Sequence, residues 1–240
     1  MIIMNTKPLL AEETLDKLLT AYRFDSVLDV GCGTGRHSRL FQQAGKQVTA
    51  IDIYPGLEGA VQADYLRHEF AAPFDCVWVS HVLEHQLNVN QFLTKVFRDL
   101  KEGGILALTI PPLKHEIVGG HVTLWNAGLL LYNLILAGFD CSQAAIKCYG
   151  YNISVITAKT SARTPWDQLK YDTGDIETLA PFFPKVAGMQ WAQSFNGRIK
   201  QINWDRPGIE FHAERGFKPW LRRLLGRDRA RLQQHRSQAA

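Results

Sequence analysis

Three glycines and two carboxylates early in the chain have the types and the spacing to hold a charged ligand that carries a sugar. The glycines occur at every second position directly after a strand-like apolar run, at Gly31, Gly33 and Gly35. Glycine lets the backbone adopt positive φ and approach a ligand closely, and the free N–H groups of a helix start attract a carboxylate or phosphate. The carboxylates are Asp29, two residues before the first glycine, and Asp52, at the end of the next strand-like run. A carboxylate in the second of these places can accept hydrogen bonds from ribose hydroxyls.

The spacing of the glycines separates two classes of ligand. Turns that bind dinucleotides carry G-x-G-x-x-G, whereas this turn reads D-x-G-x-G-x-G. Asp29 would repel a pyrophosphate, but its carboxylate can accept hydrogen bonds from an ammonium group. The turn therefore favours a ligand with an α-amino acid end and disfavours an NAD-dependent oxidoreductase.

Histidines are the candidate proton acceptors of this sequence. Four of them fall in predicted loops at the carboxyl edge of the predicted strands: His81, His85, His115 and His121. A neutral imidazole can act as a general base near pH 7. For each of them the alternative is a structural role, in which the ring bonds a loop carbonyl.

An alternation of strands and helices must position these residues. Apolar periodicity predicts helices over 8–22, directly after Gly35, over 89–100 and over 126–137. Strands are predicted over 27–30, 47–51, 59–63, 74–79, 105–110, after Asp140 and over 153–158. Asn88 and Asn126 are the predicted caps of the last two helices. This order indicates an α/β fold with a doubly wound parallel sheet.

The D-x-G-x-G-x-G turn closely resembles motif I of the class I S-adenosylmethionine-dependent methyltransferases, and the resemblance extends over about residues 22–159. It implies a Rossmann-like seven-stranded sheet whose seventh strand runs antiparallel between the fifth and sixth. It also implies S-adenosyl-L-methionine as cofactor and S-adenosyl-L-homocysteine as product.

The family resemblance assigns roles to particular positions. Asp52 would hold the ribose, Asp64 would accept the adenine amino group, and Tyr65 would pack on the adenine ring. The full set of implied cofactor residues is Asp29, Gly31, Cys32, Gly33, Gly35, Asp52, Ile53, Asp64, Tyr65 and Ser80. The implied catalytic residues are His85, which resembles a histidine common at that place in small-molecule methyltransferases, and His121, which many relatives direct toward the methyl group.

The residues directly after the fourth predicted strand indicate which class of methyl acceptor to expect. Methyltransferases that act on the amino groups of DNA or RNA carry Asp or Asn-Pro-Pro-aromatic there, but residues 80–83 read Ser-His-Val-Leu. Nucleic acid is therefore not expected as a partner. We predict O-methylation of a small molecule or of a glycan or lipid-linked intermediate, and residues 125–138 are similar to bacterial methyltransferases associated with cell-surface polysaccharide genes. The alternative is a catalytically idle S-adenosylmethionine-binding scaffold or regulatory module.

Three regions are predicted along the chain. Residues 1–159 form the cofactor-binding domain with its N-terminal helix, 160–213 form an elaboration, and 214–240 form a basic tail. Within the elaboration, Asn196-Gly197 predicts a hairpin near 189–204, with Trp191 opposite Ile202 and Met189 opposite Trp204. The tail holds eight Lys or Arg and two acids, so it is more basic than the whole chain, whose net charge is +4. It reads as a solvated end or as a basic amphipathic helix at an anionic membrane surface.

Composition indicates an ordinary globular protein, with 46% hydrophobic and 21% charged residues. The four cysteines, Cys32, Cys76, Cys141 and Cys148, show no C-x-x-C spacing, so we interpret them as reduced core residues and predict no metal site. The longest apolar run, 124–139, is too short and too polar to span a bilayer, and no secretion signal is evident. We therefore expect a cytoplasmic protein, and the membrane interpretation of the tail would place that segment at the inner face of the membrane.

Overall fold

The structure is a computed structural model that describes residues 10–160, 165–185 and 194–206. Its strands are β1 (Ser26–Val30), β2 (Gln47–Asp52), β3 (Val61–Gln62), β4 (Phe74–Ser80), β5 (Leu100–Ile110), β6 (Ala145–Tyr149), β7 (Asn152–Ala158) and β8 (Gln201–Ile202). Its α-helices are α1 (Glu12–Ala21), α2 (Arg36–Gln43), α3 (Val89–Asp99), α4 (Ala127–Leu136) and α5 (Asp175–Leu179). Short 3-10 helices span Leu83–His85, Trp166–Gln168 and Ala180–Phe182.

All these strands form one sheet in the order β3-β2-β1-β4-β5-β7-β6-β8. The first five in that order are mutually parallel, and β7 is antiparallel to both β5 and β6. The doubly wound sheet with its antiparallel seventh strand is thus confirmed. The eighth strand was not predicted as part of this sheet: it adds two residues at the edge, with Ile202 opposite Ile146. The strand order reverses between β1 and β4, which is where open α/β sheets bind their ligands.

Alternate side chains of the strands supply two separate cores, because successive residues of a strand point to opposite faces. Val27 and Trp78 pack with α1 and α2, through Leu15, Leu18 and Phe41. Leu28, Val77 and their neighbours pack on the other face with α3 and α4, through residues such as Phe92 and Leu130. The helices therefore cover both faces and leave the carboxyl edge of the sheet to carry polar groups.

Helix α1 is tied to this carboxyl edge by hydroxyl groups. The Thr14 hydroxyl lies 3.2 Å from Thr109 Oγ1 at the end of β5 and 2.8 Å from the Tyr149 hydroxyl. Just before the helix, Ala11 N donates to Asn152 Oδ1 at 3.4 Å. The N-terminal helix thus lies beside the edge of the sheet where a ligand would bind.

Two local predictions change in the structure. The predicted strand 59–63 shortens to the two residues of β3, Val61–Gln62. Asn126 caps α4 as predicted, since its side chain accepts a hydrogen bond from Leu129 N at 2.8 Å. Asn88 precedes α3 but makes no side-chain capping bond.

The segment predicted as a hairpin packs differently where it is described. Residues 194–200 form no strand, and Gly197 instead accepts a hydrogen bond from Gly128 N at the start of α4, at 3.0 Å. The residues after it form β8, which pairs with β6. Met189 and Trp191, the proposed partners of the other hairpin strand, lie outside the described residues, as does the whole basic tail.

The cysteines are free thiols, and three of the four are buried core residues as expected. Cys148 is the exception, because it is exposed and its thiol donates to the Ile199 carbonyl, 3.0 Å away. This corrects the prediction of four core cysteines. In the ranges that the structure describes, no helix combines the length and the apolar character needed to cross a membrane.

Candidate active site

The glycine turn adopts the positive φ angles that its sequence predicts. The φ angles are +70° at Gly31, +52° at Gly33 and +75° at Gly35, a region that other residues rarely adopt. Space is also tight at two of these positions. A Cβ on Gly31 would lie 2.3 Å from a Val82 methyl, and one on Gly35 would lie 2.8 Å from Leu57. Nothing lies within 4 Å of a Cβ on Gly33, so the turn is open at its centre.

Asp52 lies against this open centre. Its Oδ2 accepts a hydrogen bond from Gly33 N at 2.8 Å, and its Oδ1 accepts one from Tyr54 N, also at 2.8 Å. The loop after β2 adds a bond from Gly56 N to the Gly33 carbonyl, at 2.8 Å. Because an ionised carboxylate offers about four lone-pair sites, Asp52 can still accept hydrogen bonds from a ligand.

Asp29 lies beneath the turn and is only 1% exposed. Its Oδ2 accepts a hydrogen bond from the Ser38 hydroxyl of α2 at 2.5 Å. Burial raises the pKa of Asp29 to about 6, although the Ser38 hydrogen bonds oppose this shift. The structure therefore holds a carboxylate beneath the turn whose charge changes just below neutral pH.

Neighbouring side chains differ in how they face this crevice. Ser80 Oγ, at the end of β4, is buried and has no hydrogen-bond partner among the described residues. Ile53 is 55% exposed. Burial raises the pKa of Cys32 to about 11, so its thiol is protonated at neutral pH and is no nucleophile.

Asp64 and Tyr65, which follow β3, have different environments in the structure. Asp64 is exposed, and its carboxylate accepts a hydrogen bond from Leu66 N at 3.0 Å. Tyr65 is only 7% exposed, and its hydroxyl donates to Asp99 Oδ2 at 2.8 Å. Its ring packs edge-on against Phe92 of the core. We therefore remove Tyr65 from the proposed ligand residues, because its ring is already enclosed by the protein.

His81 follows β4 directly and has a left-handed backbone, with φ of +56°. Its Nε2 lies 3.0 Å from Asn152 Oδ1, and its Nδ1 lies 3.3 Å from Glu84 Oε1. Burial lowers the pKa of His81, but the contacts with Glu84 and Asn152 outweigh burial and raise it overall. His81 is thus engaged by protein groups on both ring nitrogens.

His85 and His121 are brought together, although 36 residues separate them in the chain. Their rings meet edge-on with centroids 4.9 Å apart. The backbone explains this contact: Val122 N donates to the Glu84 carbonyl at 2.9 Å, and His85 Nδ1 lies 2.7 Å from the Gly120 carbonyl. By contrast, His115 is exposed in the same loop and takes no part in the pair.

Glu84 is the site residue that the sequence analysis missed. It is fully buried between His81 and His85, yet a glutamate in a predicted loop is ordinarily solvated, so nothing marked it out. The available signal was its place between two histidines in H-x-x-E-H, which puts three ionisable side chains in one turn after β4.

A family model described as a methyltransferase domain matches residues 6–133, more than half of the chain. The malonyl-[acyl-carrier protein] O-methyltransferase of Salmonella typhimurium is 32% identical over 108 residues, which are 40% of this chain and 43% of that protein. The ubiquinone biosynthesis O-methyltransferase of Xanthomonas oryzae is 39% identical over 99 residues, 35% of this chain and 41% of that protein. The chain thus matches less than half the length of either relative.

Solved structures share the fold. The 1,6-didemethyltoxoflavin-N1-methyltransferase of Burkholderia thailandensis, which holds S-adenosylhomocysteine, superposes with a TM-score of 0.54 at 19% identity, covering 62% of this chain and 77% of that one. A SAM-dependent methyltransferase from Archaeoglobus fulgidus gives 0.50 at 17% identity, covering 62% and 91%. With the glycine turn, the strand order and the family model in agreement, the chain belongs to the class I S-adenosylmethionine-dependent methyltransferases.

Proposed function

We propose that this chain binds S-adenosylmethionine across the carboxyl ends of β1, β2 and β4 and transfers its methyl group to an oxygen of a small-molecule acceptor. The observation that carries the proposal is the carboxylate of Asp52 placed 2.8 Å from the N–H of Gly33. A ligand that lies in the turn must pass this carboxylate, and a ribose offers it two hydroxyl donors. S-adenosylmethionine supplies an electrophilic methyl group on a sulfonium sulfur.

The residues present suit such a ligand. The open centre of the turn at Gly33 leaves room for close approach, and the buried hydroxyl of Ser80 has no partner in the described structure. Asp29 supplies negative charge beneath the turn, toward which an ammonium group would be attracted. Exposed Asp64 and Ile53 are proposed to contact the adenine end.

Oxygen is the proposed acceptor atom because both curated relatives described above are named O-methyltransferases. The loop around His121 supports an acceptor with an apolar part. It exposes five large apolar side chains on either side of the histidine: Leu113, Ile117, Val118, Val122 and Leu124. Exposed apolar side chains grouped in this way are typical of a surface that contacts an apolar molecule. A lipid-linked intermediate fits this loop better than a bare glycan does.

His121 is the proposed proton acceptor. His85 is the weaker candidate, because a carbonyl can only accept and His85 Nδ1 must therefore donate to Gly120 O. His121 has no comparable hydrogen bond from its ring in the described structure, and its position beside His85 puts it at the carboxyl edge of β4. As a free imidazole it would accept the proton of the attacking hydroxyl.

Calorimetric titration with S-adenosylhomocysteine, NAD and NADP tests cofactor binding. We expect S-adenosylhomocysteine alone to bind, and Asp52→Asn to weaken it at least tenfold, because hydrogen bonds to a charged acceptor contribute about 1.5–3 kcal/mol. Asp25→Asn is the matched control, since Asp25 is an exposed carboxylate at the opposite end of β1. Preferential binding of a pyridine nucleotide would overturn the proposal.

Transfer of a radiolabelled methyl group to fractionated cell extract then separates an enzyme from an idle binding module. Label in an organic-soluble fraction supports an acceptor with an apolar part, and label in a water-soluble fraction supports a glycan or other polar small molecule. Binding of S-adenosylhomocysteine without label in any fraction would favour the scaffold or regulatory alternative.

A further inference from the structure

Three side chains beside the proposed methyl-transfer site converge on one point. The potential ligand atoms of Glu84, His85 and His121, one from each side chain, all lie within 4.8 Å of one another. Within this set, His85 Nε2 lies 3.8 Å from Glu84 Oε1. Two imidazoles and one carboxylate form a ligand set that proteins use for zinc and for non-haem iron.

The carboxylate of Glu84 has an unusual environment. The residue is fully buried, and neither of its oxygens accepts a hydrogen bond from any described group. His81 Nδ1 approaches Oε1 to 3.3 Å, which is a charge contact without hydrogen-bond geometry. A buried carboxylate without a donor costs several kcal/mol unless a charge compensates it. His81 compensates this charge only when its ring is protonated, and Oε2 has no hydrogen-bond partner in the described part of the chain, so this oxygen can still bind a cation.

His85 is already arranged as a metal ligand. Its Nδ1 donates to the Gly120 carbonyl at 2.7 Å, which places the lone pair of the neutral ring on Nε2, the atom directed at Glu84. Ligating histidines almost always donate their other ring nitrogen to a carbonyl or carboxylate in this way. A Cβ on Gly120 would lie 3.1 Å from His85 Nδ1, so the loop closes directly on this ring.

We propose that Glu84, His85 and His121 bind a divalent transition-metal ion, with Zn²⁺ or Co²⁺ as the simplest probe. This departs from the sequence prediction, which contained no metal site. Ligand atoms around tetrahedral zinc are separated by about 3.4 Å, given metal–ligand bonds of about 2.1 Å. The side chains therefore need to move inward by no more than about 1.5 Å. Three protein ligands leave a coordination position for a further oxygen, as in catalytic metal sites.

The role of the ion, unlike its binding, rests on the proposed function. An acceptor hydroxyl in the open coordination position would ionise more readily, because a bound cation lowers the pKa of a coordinated oxygen acid. The hydroxyl proton is then released to solvent, and the resulting oxygen anion forms its bond to the methyl carbon as the bond from that carbon to sulfur breaks. His121 serves as a ligand in this scheme, in place of the general base.

A competing interpretation needs no metal. Glu84 would then serve only to hold a protonated His81, and His121 would remain a free base. The two interpretations predict different metal affinities for a variant that lacks His121. If the three side chains bind the ion, removal of His121 weakens metal binding. If Glu84 only pairs with His81, removal of His121 leaves any metal binding unchanged.

Titration of the chelator-treated, untagged full chain with Co²⁺ tests the proposal without any methyl acceptor. We expect one equivalent to bind, with visible absorption bands typical of nitrogen and oxygen ligation. His121→Ala and Glu84→Gln should each weaken Co²⁺ binding by more than about 100-fold. Loss of a residue that only hydrogen-bonds to a metal ligand weakens metal affinity by up to about 100-fold, and loss of a ligand itself should cost more. His115→Ala and Glu116→Gln are matched controls, because both residues are exposed in the same loop. Cys148→Ser excludes binding at the exposed thiol.

Unfolding temperature and S-adenosylhomocysteine affinity, both measured without metal, show whether each variant is folded. Because His121 is partly exposed, His121→Ala is the variant least expected to unfold the chain. Co²⁺ binding of equal strength in wild type and in folded His121→Ala would overturn the metal proposal, as would its absence in wild type. If S-adenosylhomocysteine still binds when either of these results is found, the metal proposal is wrong and the proposed cofactor site is unaffected. Loss of S-adenosylhomocysteine binding in wild type instead rejects the proposed function.

Discussion

The ring of His121 meets the ring of His85 edge-on, with centroids 4.9 Å apart and an interplanar angle of 86°. The pair joins the turn after β4 to the loop after β5, and backbone hydrogen bonds to the Glu84 carbonyl from Val122 and Thr123 hold the two segments together. Any catalytic role of either histidine therefore depends on the path of the loop as much as on the ring itself.

Gly120→Ala should separate this pair. Gly120 has φ of +81°, and an added Cβ would lie 3.1 Å from His85 Nδ1, so the loop must move or the ring must turn. We expect methyl transfer to fall more than tenfold, with S-adenosylhomocysteine affinity changed less than twofold. The adjacent Gly119→Ala is the control, because nothing lies within 4 Å of its Cβ. Equal activity of both variants would show that the loop path does not matter.

The glycine turn should tolerate no side chain at its first position. Gly31→Ala combines a left-handed backbone, which costs about 1–2 kcal/mol, with a Cβ placed 2.3 Å from Val82. Gly59→Ala isolates the backbone cost, because its φ is +79° and its surroundings are open. We expect Gly31→Ala to lower the free energy of unfolding by clearly more than Gly59→Ala does.

Val82→Ala in the Gly31→Ala background removes the methyl groups that an added Cβ would meet. Denaturant unfolding of the double variant should recover the difference between Gly31→Ala and Gly59→Ala. A double variant no more stable than Gly31→Ala would contradict a steric origin.

Asp29 should make cofactor affinity depend on pH. Its carboxylate attracts an ammonium group only when ionised, and its pKa is raised to about 6 by burial. S-adenosylhomocysteine affinity should therefore fall as pH decreases through about 6, while Asp29→Asn binds more weakly with little change across this range. Ser38→Ala removes the side-chain hydrogen bond that lowers the pKa of Asp29, so it should move the midpoint to higher pH. Calorimetric titration from pH 5 to pH 8 measures both.

The same carboxyl predicts a change in stability with pH. Because the folded-state pKa exceeds the unfolded value of 3.8, its stabilising contribution is fully present below pH 3.8 and is lost as pH rises through about 6. The difference corresponds to an order-of-magnitude cost of about 3 kcal/mol at neutral pH. Asp29→Asn should thus unfold at higher denaturant concentration than wild type at pH 7.5, with the difference shrinking toward pH 4. A constant difference would contradict the raised pKa.

Tyr65 should affect stability and leave cofactor binding unchanged. Its hydroxyl donates to Asp99, which also pairs with buried Lys95 at 2.9 Å. Tyr65→Phe should lower the free energy of unfolding by about 1–3 kcal/mol, since it removes a donor to a buried charged acceptor. Tyr54→Phe, at an exposed tyrosine, should have no effect. A loss of S-adenosylhomocysteine affinity in a folded Tyr65→Leu variant, which lacks the aromatic ring, would restore Tyr65 to the ligand site.

The basic tail stays a prediction, because it lies outside the described residues. If it binds an anionic membrane surface, the full chain should sediment with vesicles of anionic lipid at low salt, and deletion of 217–240 should abolish this. Neutral vesicles and raised salt are the controls, since attraction to anionic lipid is screened by ions. Equal sedimentation with and without the tail would reject the membrane hypothesis.

The amino-acid sequence by itself determined the order of strands and helices, the glycine turn and its two carboxylates. These are local properties, because hydrophobic periodicity and glycine spacing act within one or two elements. The seventh strand was placed through the family resemblance, and the structure confirms it. Asp52 was found from its distance along the chain, because a βαβ unit returns its second strand to the side of the first.

Only the tertiary structure decided which polar groups meet. The loop after β5 packs on Glu84, because Val122 N and Thr123 N donate to its carbonyl. The 36 residues between His85 and His121 leave no pattern in the sequence that predicts their contact. The contact of Tyr65 with the core is also a tertiary contact, because its hydrogen-bond partner Asp99 lies at the end of α3. Contacts between loops depend on the packing of the whole domain, and the burial and ionisation of the side chains involved depend on those contacts.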